Sequence, residues 1–389
     1  MGIPVGAVKE RFPGERRVAV APQSVPVLAK CGAELAIERG AGAEAGFTDA
    51  EYEQKGARLA TREEVLESAE VLLAVRTAGA DAAGSLALRA GQTVIGLGEP
   101  LAAPEAYREM AAAYVTGFAL ELLPRITRAQ TMDVLSSMAT IAGYKAALLA
   151  ADALPRMFPM LMTAAGTVAA ARVLVIGAGV AGLQAIATAR RLGAVVSGYD
   201  VRPAVKEQVE SLGARFVTLD LDAGAAQDQG GYAKALGEDF YRRQRQLMTE
   251  VLARHDVVIT TAAIPGQKAP VLVTREMVEA MAPGSVIVDL AAERGGNCEL
   301  TRPGETVVAH GVTILGPLNL PSTIPYHASQ MYSRNVTAFL CHLIRDGALA
   351  IDTKDEITRE TLVTHQGRIV NRRVQQALGM AATELTQAG

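Results

Sequence analysis

The stretch Arg172–Gly182, with the sequence RVLVIGAGVAG, is the most informative about the fold of this 389-residue chain. Arg172 is followed by the apolar run Val173–Ile176, and Gly177, Gly179 and Gly182 come next in the spacing G-x-G-x-x-G. An apolar helical pattern begins at Val180. Glycines between a strand and a helix allow a tight turn and let the backbone approach a pyrophosphate closely. The stretch therefore predicts a dinucleotide-binding α/β domain; the alternative is a glycine-rich turn in a structural layer.

The residues around these glycines indicate which dinucleotide binds. The helix N-terminus at Val180 offers unpaired N–H groups to phosphates. Asp200 ends the next predicted strand, where a carboxylate accepts hydrogen bonds from the ribose hydroxyls and repels a 2′-phosphate. The sequence therefore favours NAD(H) over NADP(H). Arg202 can accept a 2′-phosphate or stack on the adenine, and beside Asp200 we favour stacking.

Strand and helix patterns alternate along most of the chain, over residues 3–113 and again over 172–289. Such alternation predicts parallel sheets covered by helices on both faces. The predicted fold class is α/β, with two Rossmann-like doubly wound parallel-sheet domains and a cleft between them. We expect residues 1–135, completed by 320–389, to form the N-terminal domain and residues 136–319 to form the NAD(H)-binding domain.

The remaining segments are predicted from their patterns. A last strand is expected over 307–315, followed by a long helix over 321–345 that begins after Pro325 and returns to the first domain. The tail from residue 354 is polar and has a helical character. The stretch 221–238 contains four glycines and no strong period, which is typical of a functional lid or of disorder.

The composition excludes several classes of protein. Half of the residues are hydrophobic, 20% are charged and the net charge is −3, which argues against disorder and against a nucleic-acid partner. Cys31, Cys298 and Cys341 are odd in number and widely spaced, which indicates a reducing compartment and excludes a disulfide scaffold or a cysteine zinc site. No histidine or carboxylate spacing indicates a metal. The apolar run Val173–Ala189 is interrupted by glycines, which favours strand plus helix over a membrane span.

A polar segment, Pro124–Ser137, interrupts the alternation before a long helix predicted over 133–151. Arg125, Gln130, Asp133 and Ser136 can hydrogen-bond a carboxamide, a ribose or a second partner. None of them donates a proton at neutral pH without a large pKa shift. The alternative is a polar linker in which Asp133 caps the helix and Ser136 lies in its first turn.

Histidines offer little more as candidate acids or bases. His255 is expected to be structural and His342 to lie in the packing or at the surface, whereas His327, which follows Pro325 and Tyr326, can face the cleft.

The segment Pro124–Ser137 closely resembles the signature of the NAD(H)-binding component (alpha subunit, soluble domain I) of proton-translocating nicotinamide nucleotide transhydrogenase. Glu15–Ala19, Gly177–Gly182, Asp200–Arg202 and Gly230–Lys234 add to the match, which spans nearly the whole chain. The resemblance implies hydride transfer between NADH on this chain and NADP⁺ on a partner subunit, coupled to proton movement through a membrane subunit.

The resemblance also implies how the chain is assembled and located. We expect a homodimer that docks on an NADP(H)-binding subunit and a membrane proton-channel subunit, peripherally on the inner, cytoplasmic face of the cell membrane. The helix over 325–345 and the apolar run 141–154 are candidate dimer surfaces, although either can be core.

The resemblance assigns roles to single residues. Asp133 and Ser136 would engage the nicotinamide end, Gln130 would bridge toward NADP(H), and Tyr232 would lie on a mobile loop that closes over NAD(H). The expected catalytic residues are Arg125, Gln130, Asp133, Ser136 and Tyr232. The expected cofactor-binding residues are Arg125, Ile126, Thr127, Gln130, Asp133, Ser136, Gly177, Gly179, Val180, Gly182, Asp200, Val201, Arg202, Gly231 and Ala262.

The same fold family includes alanine dehydrogenase, so a soluble NAD-dependent amino-acid dehydrogenase is the alternative function, and a nucleotide sensor without turnover is a third. Arg17–Ala19 resembles the N-terminal motif of alanine dehydrogenase. Its substrate-binding lysine corresponds to a position in Val75–Ala78, its catalytic histidine to residues 94–99, which contain none, and its Asp-Gln-Gly-Gly to Glu293–Gly296. Keto-acid chemistry requires a proton relay, whereas hydride transfer between two nucleotides requires only proximity and orientation.

Overall fold

The chain forms two compact units, each built around its own sheet. Unit 1 consists of the residues up to Met138 together with those from Pro321, and unit 2 is Ala139–Leu320. The sequence predicted these boundaries at 135/136 and 319/320. The computed structural model describes residues 2–80, 86–219, 238–263 and 266–380.

The first portion of unit 1 alternates strands with helices. In chain order, the elements are β1 (Ile3–Ala7), α1 (Val25–Lys30), β2 (Ala33–Glu38), α2 (Asp49–Gln54), β3 (Arg58–Ala60), α3 (Arg62–Ser68), β4 (Val71–Arg76), β5 (Thr93–Leu97), α4 (Pro104–Ala112) and β6 (Thr116–Ala119). Capping boxes begin α2 and α3: the hydroxyls of Thr48 and Thr61 accept the N–H groups of Glu51 and Glu64.

The long helix α5 (Val134–Ala153) leads into unit 2. The elements that follow are β7 (Leu161–Thr163), β8 (Gly166–Val168), β9 (Arg172–Ile176), α6 (Val180–Arg191), β10 (Val195–Tyr199), α7 (Lys206–Ser211), β11 (Arg215–Phe216), α8 (Glu238–Leu252), β12 (Val257–Thr260), α9 (Arg275–Glu279), β13 (Val286–Asp289), β14 (Thr306–Ala309) and β15 (Val312–Leu315). The strand and helix predicted within Val173–Ala189 are confirmed as β9 and α6.

The chain then returns to unit 1. The returning elements are α10 (Pro325–Leu343), β16 (Ile344–Arg345), β17 (Ala348–Leu349), α11 (Glu356–Thr361), β18 (Leu362–His365), β19 (Arg368–Ile369) and α12 (Arg372–Ala377). The tail from residue 354, expected to be helical in character, contains the helices α11 and α12, but it also contains β18, which pairs with β6 and extends the sheet of unit 1. The local sequence pattern of the tail does not predict β18 as a strand, because its partner β6 lies far away in the sequence.

Both main sheets have the strand order of a doubly wound fold. Within the described residues, the sheet of unit 1 runs β19-β18-β6-β5-β4-β1-β2-β3, and that of unit 2 runs β11-β10-β9-β12-β13-β15-β14. In the sheet of unit 1, all pairs among β1 to β6 are parallel. In the sheet of unit 2, all pairs among β9 to β13 and β15 are parallel. Numbered along the chain, the parallel strands of each sheet take the Rossmann order 3-2-1-4-5-6. The predicted α/β fold class is confirmed.

Alternate residues of β9 show how the sheet of unit 2 is covered on both faces. Val173 and Val175 pack in one apolar cluster with residues of α5 and α6, whereas Leu174 and Ile176 pack in another with residues of α8 and α9. A strand buried on both faces has a continuous apolar run, as this one does.

Residues 307–315, predicted as one strand, form the antiparallel hairpin of β14 and β15. The turn lies at His310 and Gly311, which both adopt positive φ angles, +53° and +77°. A turn with two left-handed residues matches the twist of the flanking strands. The prediction of a single strand was therefore wrong at this turn.

Cys31 at the end of α1 and Cys341 near the end of α10 form a disulfide within unit 1, with their Cα atoms 5.6 Å apart and a sequence separation of 310. Cys298 is buried and unpaired. The odd number and wide spacing of the cysteines did not predict this pair, because a disulfide depends on spatial rather than sequence proximity.

Candidate functional site

The three glycines after β9 have three different environments. Gly177 has a φ of +99°, which favours glycine. A Cβ on Gly182 would overlap the carbonyl oxygen of Gly177, so this position permits close packing of strand and helix. A Cβ on Gly179 would meet no atom within 4 Å. Gly179 therefore faces open space at the start of α6, as required where a pyrophosphate approaches the backbone.

Asp200, at the carboxyl end of β10, bonds to this glycine loop. Its Oδ2 accepts the N–H of Ala178 at 2.7 Å, and its carboxylate accepts the N–H, Nε and Nη2 of Arg202 at 2.9 Å each. The side chains of both residues are largely buried. The guanidinium of Arg202 pairs with Asp200, and its stacking on an adenine stays a prediction. Between them, Val201 is partly buried against the core of unit 2.

The loop after β12 meets the same glycines. The Thr261 hydroxyl donates to the carbonyl of Gly177 at 2.9 Å. Ala262 is held by the side-chain amide of Asn297, which accepts the Ala262 N–H at 3.0 Å and donates to its carbonyl at 2.8 Å. Because β9 and β12 are neighbours where the strand order reverses, this edge is the topological switch point at which such folds bind ligands.

Asn297 is in turn positioned by the buried carboxylate of Asp289, and neither residue was expected in the site from the sequence. Asp289 lies at the end of β13 and is fully buried. Its carboxylate accepts hydrogen bonds from the hydroxyls of Thr260 and Thr301 and from the N–H groups of Ala291, Asn297 and Cys298. Donors on both oxygens compensate the burial of a charge. The signal available in the sequence was an aspartate ending a buried apolar strand, the same pattern as Asp200.

In unit 1, a short 3₁₀ helix, Thr127–Met132, carries the polar segment that precedes α5. Ala129 and Met132 are buried, and Asn335 of α10 donates to the carbonyl of Thr131 at 2.8 Å. These contacts fix the backbone while the side chains of Arg125 and Gln130 are exposed. Ile126 is partly buried, and Thr127 is exposed. The segment is therefore a rigid support that presents polar groups to solvent.

Asp133 stands at the N-terminus of α5 and caps it. Its Oδ1 accepts the N–H of Ser136 at 2.9 Å, and its Oδ2 accepts the hydroxyl of Ser136 at 2.6 Å. The capping role considered from the sequence is confirmed. Both residues are only partly buried, so the cap also fixes the direction in which the carboxylate and the hydroxyl face solvent.

Several expected groups are not covered by the structure. Gly231 and Tyr232, and all of the 221–238 stretch except Glu238, lie outside the described residues. Within the described residues, no group of three or more His, Cys, Asp or Glu side chains is arranged to hold a metal ion.

A buried ionic cluster occupies the switch point of the other sheet, after β1 and at the end of β4. The Nε and Nη2 of Arg17 donate to the two carboxylate oxygens of Glu15 at 2.7 and 2.6 Å, and Arg76 Nε donates to Glu15 at 2.9 Å. Arg17 also contacts the sulfur of Met138 in α5 at 3.2 Å. Both arginines therefore bind the same carboxylate, that of Glu15.

Two further buried carboxyls line this region of unit 1. Burial raises the pKa of Glu10 to about 8, although its carboxyl accepts the N–H of Val75 at 2.6 Å. Burial likewise raises the pKa of Glu121 to about 7, although its Oε1 accepts the N–H groups of Gly98 and Glu99 at 2.7 Å. At neutral pH the Glu10 carboxyl is therefore mostly protonated, whereas the Glu121 carboxyl is protonated only in part.

The histidines hold structural positions. His255 Nδ1 lies 2.6 Å from the carbonyl of Val251, and its Nε2 lies 3.3 Å from the hydroxyl of Ser197; desolvation lowers the pKa of His255. His342 pairs with Asp355 at 3.0 Å. These positions agree with the structural role expected for His255 and with the packing or surface position expected for His342. His327 is exposed and packs edge-on against Tyr326.

Two family models match this chain. The model described as Alanine dehydrogenase/PNT, N-terminal domain, matches residues 6–142, and the model described as Alanine dehydrogenase/PNT, C-terminal domain, matches residues 146–372. The chain is 47% identical over 370 residues to a protein of Rhodospirillum rubrum named as the first portion of NAD(P) transhydrogenase subunit alpha, covering 93% of this chain and 96% of that protein.

More distant similarity extends to alanine dehydrogenases. The chain is 28% identical over 392 residues to alanine dehydrogenase of Mycolicibacterium smegmatis, covering 98% and 99% of the two chains.

The solved structure of transhydrogenase from Sinorhizobium meliloti superposes with a TM-score of 0.84 at 48% identity, covering 94% of this chain and 99% of that one.

Proposed function

The chain belongs to the alanine dehydrogenase/PNT family, and on this basis we propose that it is the NAD(H)-binding subunit of a proton-translocating transhydrogenase. It passes hydride between NADH and NADP⁺ held on a partner subunit. The observation that carries this proposal is the rigid segment of Arg125–Ser136, which presents exposed Arg125 and Gln130 beside the fixed Asp133–Ser136 pair.

Unit 2 is assigned the adenosine and pyrophosphate of NAD(H). The open face of Gly179 and the first turn of α6 suit the pyrophosphate. The carboxylate of Asp200 suits the ribose hydroxyls and disfavours a 2′-phosphate. Since Arg202 already donates to both oxygens of Asp200, ribose binding exchanges some of these bonds for hydroxyl donors.

The segment of unit 1 is assigned the nicotinamide end. Asp133 and Ser136 orient the carboxamide, and Gln130 reaches toward the second nucleotide. Bound NADH supplies the hydride, two electrons and one proton transferred together, so that NADH becomes NAD⁺ and NADP⁺ becomes NADPH. The reacting carbons exchange no other proton, so the chain need only orient the ring and exclude water. Tyr232 and Gly231 are proposed to close over the bound nucleotide.

The buried cluster of unit 1 argues against the alternative, an alanine-type dehydrogenase. A keto-acid carboxylate needs an unpaired cationic partner, but Arg17 and Arg76 both donate to Glu15. Residues 94–99 also contain no histidine to serve as the acid or base of that reaction.

The chain would work within a larger assembly. The Rhodospirillum rubrum relative is named as one portion of an alpha subunit, which supports further subunits here. We propose an NADP(H)-binding subunit, a membrane subunit that conducts protons, a homodimer of this chain, and a peripheral position on the inner face of the membrane. By length and hydropathy alone, α5 is apolar enough to cross a membrane, but its Ala146, Ala147 and Ala150 pack in the core of unit 2.

Assay of the purified chain separates the candidate functions. Mixed with NADH, an NAD⁺ analogue and an NADP(H)-loaded partner subunit, it should catalyse cyclic hydride transfer, and with NAD⁺ and L-alanine it should form no NADH. A robust alanine-dependent rate would reject the proposal, and NADH binding without turnover alongside any partner would favour a sensor.

A variant tests the proposed division of roles within the segment. Gln130→Asn shortens a side chain that faces the second nucleotide, so hydride transfer should slow about tenfold or more while the Kd for NADH stays within about twofold, since a tenfold change corresponds to about 1.4 kcal/mol. Thr131→Ser, in the same short helix, is the matched control and should change neither quantity. A large loss of NADH affinity in Gln130→Asn would contradict the assignment.

A further inference from the structure

The returning helix α10 is attached to the centre of unit 1 by buried polar side chains. The hydroxyl of Ser333 accepts the N–H of Ala21 at 2.8 Å, and the hydroxyl of Tyr332 donates to the carbonyl of Ala74 in β4 at 2.7 Å. Both side chains are fully buried. Buried polar groups that are hydrogen-bonded rigidify the core around them. The helix α10 is therefore a fixed support for the groups that its other side chains hold.

Asn335 extends this support to the polar segment before α5. Its Nδ2 donates to the carbonyl of Thr131 at 2.8 Å, across a sequence separation of 204, and the residue is only 7% exposed. Thr131 directly follows Gln130 in the short helix Thr127–Met132. The peptide group that Asn335 binds is thus one residue away from the side chain assigned to the second nucleotide.

The amide of Asn335 is unfavourable for stability apart from this bond. Its Oδ1 is buried and accepts no hydrogen bond from the residues that the structure describes. An unsatisfied buried acceptor destabilises the folded state, so an apolar side chain of similar volume would be tolerated at this position. Reversing the amide would place its oxygen against the carbonyl of Thr131, where no hydrogen bond can form. The contribution specific to asparagine is therefore the bond from Nδ2.

A second contact between the returning chain and the segment is weaker. The Nη2 of Arg128 donates to Oδ2 of Asp355 at 2.9 Å, but the Arg128 side chain is 61% exposed. Exposed ion pairs contribute little, because solvent screens the charges and the long side chain loses conformational freedom. The buried bond from Asn335 therefore has more influence on the position of the backbone beside Gln130.

We propose that Asn335 is a positioning residue for hydride transfer, acting through the peptide of Thr131 on Gln130. This inference rests on the proposed function, in which Gln130 faces the second nucleotide. Thr131 is exposed, so without Asn335 its carbonyl can turn toward water and move Gln130 with it. A displacement of about 1 Å in such a site can slow a reaction about a hundredfold, even when its cause is remote from the reacting atoms.

Asn335→Leu separates positioning from stability. It should slow hydride transfer by about tenfold to a hundredfold while the Kd for NADH stays within about twofold, because Asn335 contacts neither nucleotide in this assignment. The melting temperature should not fall, since the unsatisfied oxygen is removed and the carbonyl of Thr131 can reach water. Asn335→Asp keeps the shape of the side chain but has no N–H donor, so it should also slow transfer.

Thr337→Val is the matched control in the same helix. Thr337 is 2% exposed, and its hydroxyl also has no hydrogen-bond partner within the described part of the chain. Valine has nearly the same shape, so this variant removes a buried unsatisfied group from α10 without touching the segment. Its hydride-transfer rate and its Kd for NADH should equal those of the unaltered chain.

Two measurements test whether Asn335 acts through the segment. If it acts through Gln130, combining Asn335→Leu with Gln130→Asn should give a rate within about threefold of the slower single variant, since residues that act as one unit are not additive. Hydrogen exchange followed by mass spectrometry should show faster exchange of residues 127–133 in Asn335→Leu and no change in Thr337→Val.

Several outcomes would overturn the proposal: full-rate transfer by Asn335→Leu, equal slowing by Thr337→Val, losses that multiply in the double variant, or a loss of NADH affinity that matches the loss of rate. Hydrogen exchange is measured without a partner subunit. An unaltered chain that transfers no hydride with any partner would refute the proposed function, whereas unchanged exchange in Asn335→Leu would refute the anchoring of the segment.

Discussion

At the scale of single residues, Asp133 combines a structural bond with a proposed ligand contact. Its two carboxylate oxygens accept the N–H and the hydroxyl of Ser136, which fixes the first turn of α5. The cap explains why the carboxylate is oriented, and its partial exposure leaves it available to a ligand. The two roles predict different consequences for different substitutions.

Asp133→Asn should separate these roles. Asparagine caps helices about as well as aspartate, so the variant should keep its thermal stability, whereas Asp133→Ala should lose about 1 kcal/mol of unfolding free energy. If the carboxylate engages the nicotinamide end, both variants should transfer hydride at least about tenfold more slowly. A full rate in Asp133→Asn, measured beside its melting temperature, would leave only the cap.

Glu10 should make the stability of the chain fall with rising pH. Burial raises its pKa in the folded state from 4.5 to about 8, so the folded chain holds a proton that the unfolded chain releases. This contribution is fully present below pH 4.5, is lost as the pH rises toward about 8, and is constant above that. Glu121 acts in the same direction up to about pH 7.

Glu10→Gln should therefore flatten this dependence. Denaturant unfolding at several pH values should show a smaller decrease in unfolding free energy between pH 4.5 and 8 than in the unaltered chain. Glu63→Gln, at an exposed position in α3, is the control and should leave the slope as it was. Equal slopes for Glu10→Gln and the unaltered chain would mean that Glu10 is ionised when folded.

At the scale of elements, the turn between β9 and α6 divides its glycines between folding and binding. Gly182 packs against the carbonyl of Gly177, whereas Gly179 has space in front of it and a φ of −78° that alanine can adopt. The same motif therefore contains one position at which a methyl group opposes folding and another at which it opposes only a ligand.

Two alanine variants should show this division. Gly182→Ala should lower the unfolding free energy by about 1–3 kcal/mol, because strand and helix must move apart. Gly179→Ala should leave stability nearly unchanged but raise the Kd for NADH about tenfold, since its methyl group meets the pyrophosphate. Melting curves and fluorescence titration with NADH measure the two effects. The reverse pattern would contradict the assignment of the pyrophosphate to this turn.

At the scale of the whole molecule, unit 1 is assembled from both ends of the chain. The disulfide between Cys31 and Cys341 links α1 to α10, and β18 pairs with β6. Both contacts close very long loops, which is costly in chain entropy before the contacts form. A covalent link across such a loop stabilises the folded state chiefly by restricting the unfolded chain.

Cys341→Ser should therefore lower the unfolding free energy by about 2–4 kcal/mol under oxidising conditions. With an excess of reductant, the variant and the unaltered chain should unfold alike. Thiol titration of the denatured, unreduced chain should find a single free thiol, that of Cys298. Titration of all three cysteines would show that the bond does not form in the purified protein.

Local sequence patterns were enough to specify the nucleotide-binding unit and the cap of α5. Strand periodicity, glycine sterics and capping are short-range effects, so the residues around Gly177 and Asp133 were sufficient. The three-dimensional fold set which distant groups meet: Asn297 with Ala262, Arg202 with Asp200, Cys31 with Cys341 and β18 with β6. The fold also determined that residues 307–315 form a hairpin and that apolar side chains of β7 and β8 are exposed. Such pairings depend on how the elements pack, which no short window of residues encodes.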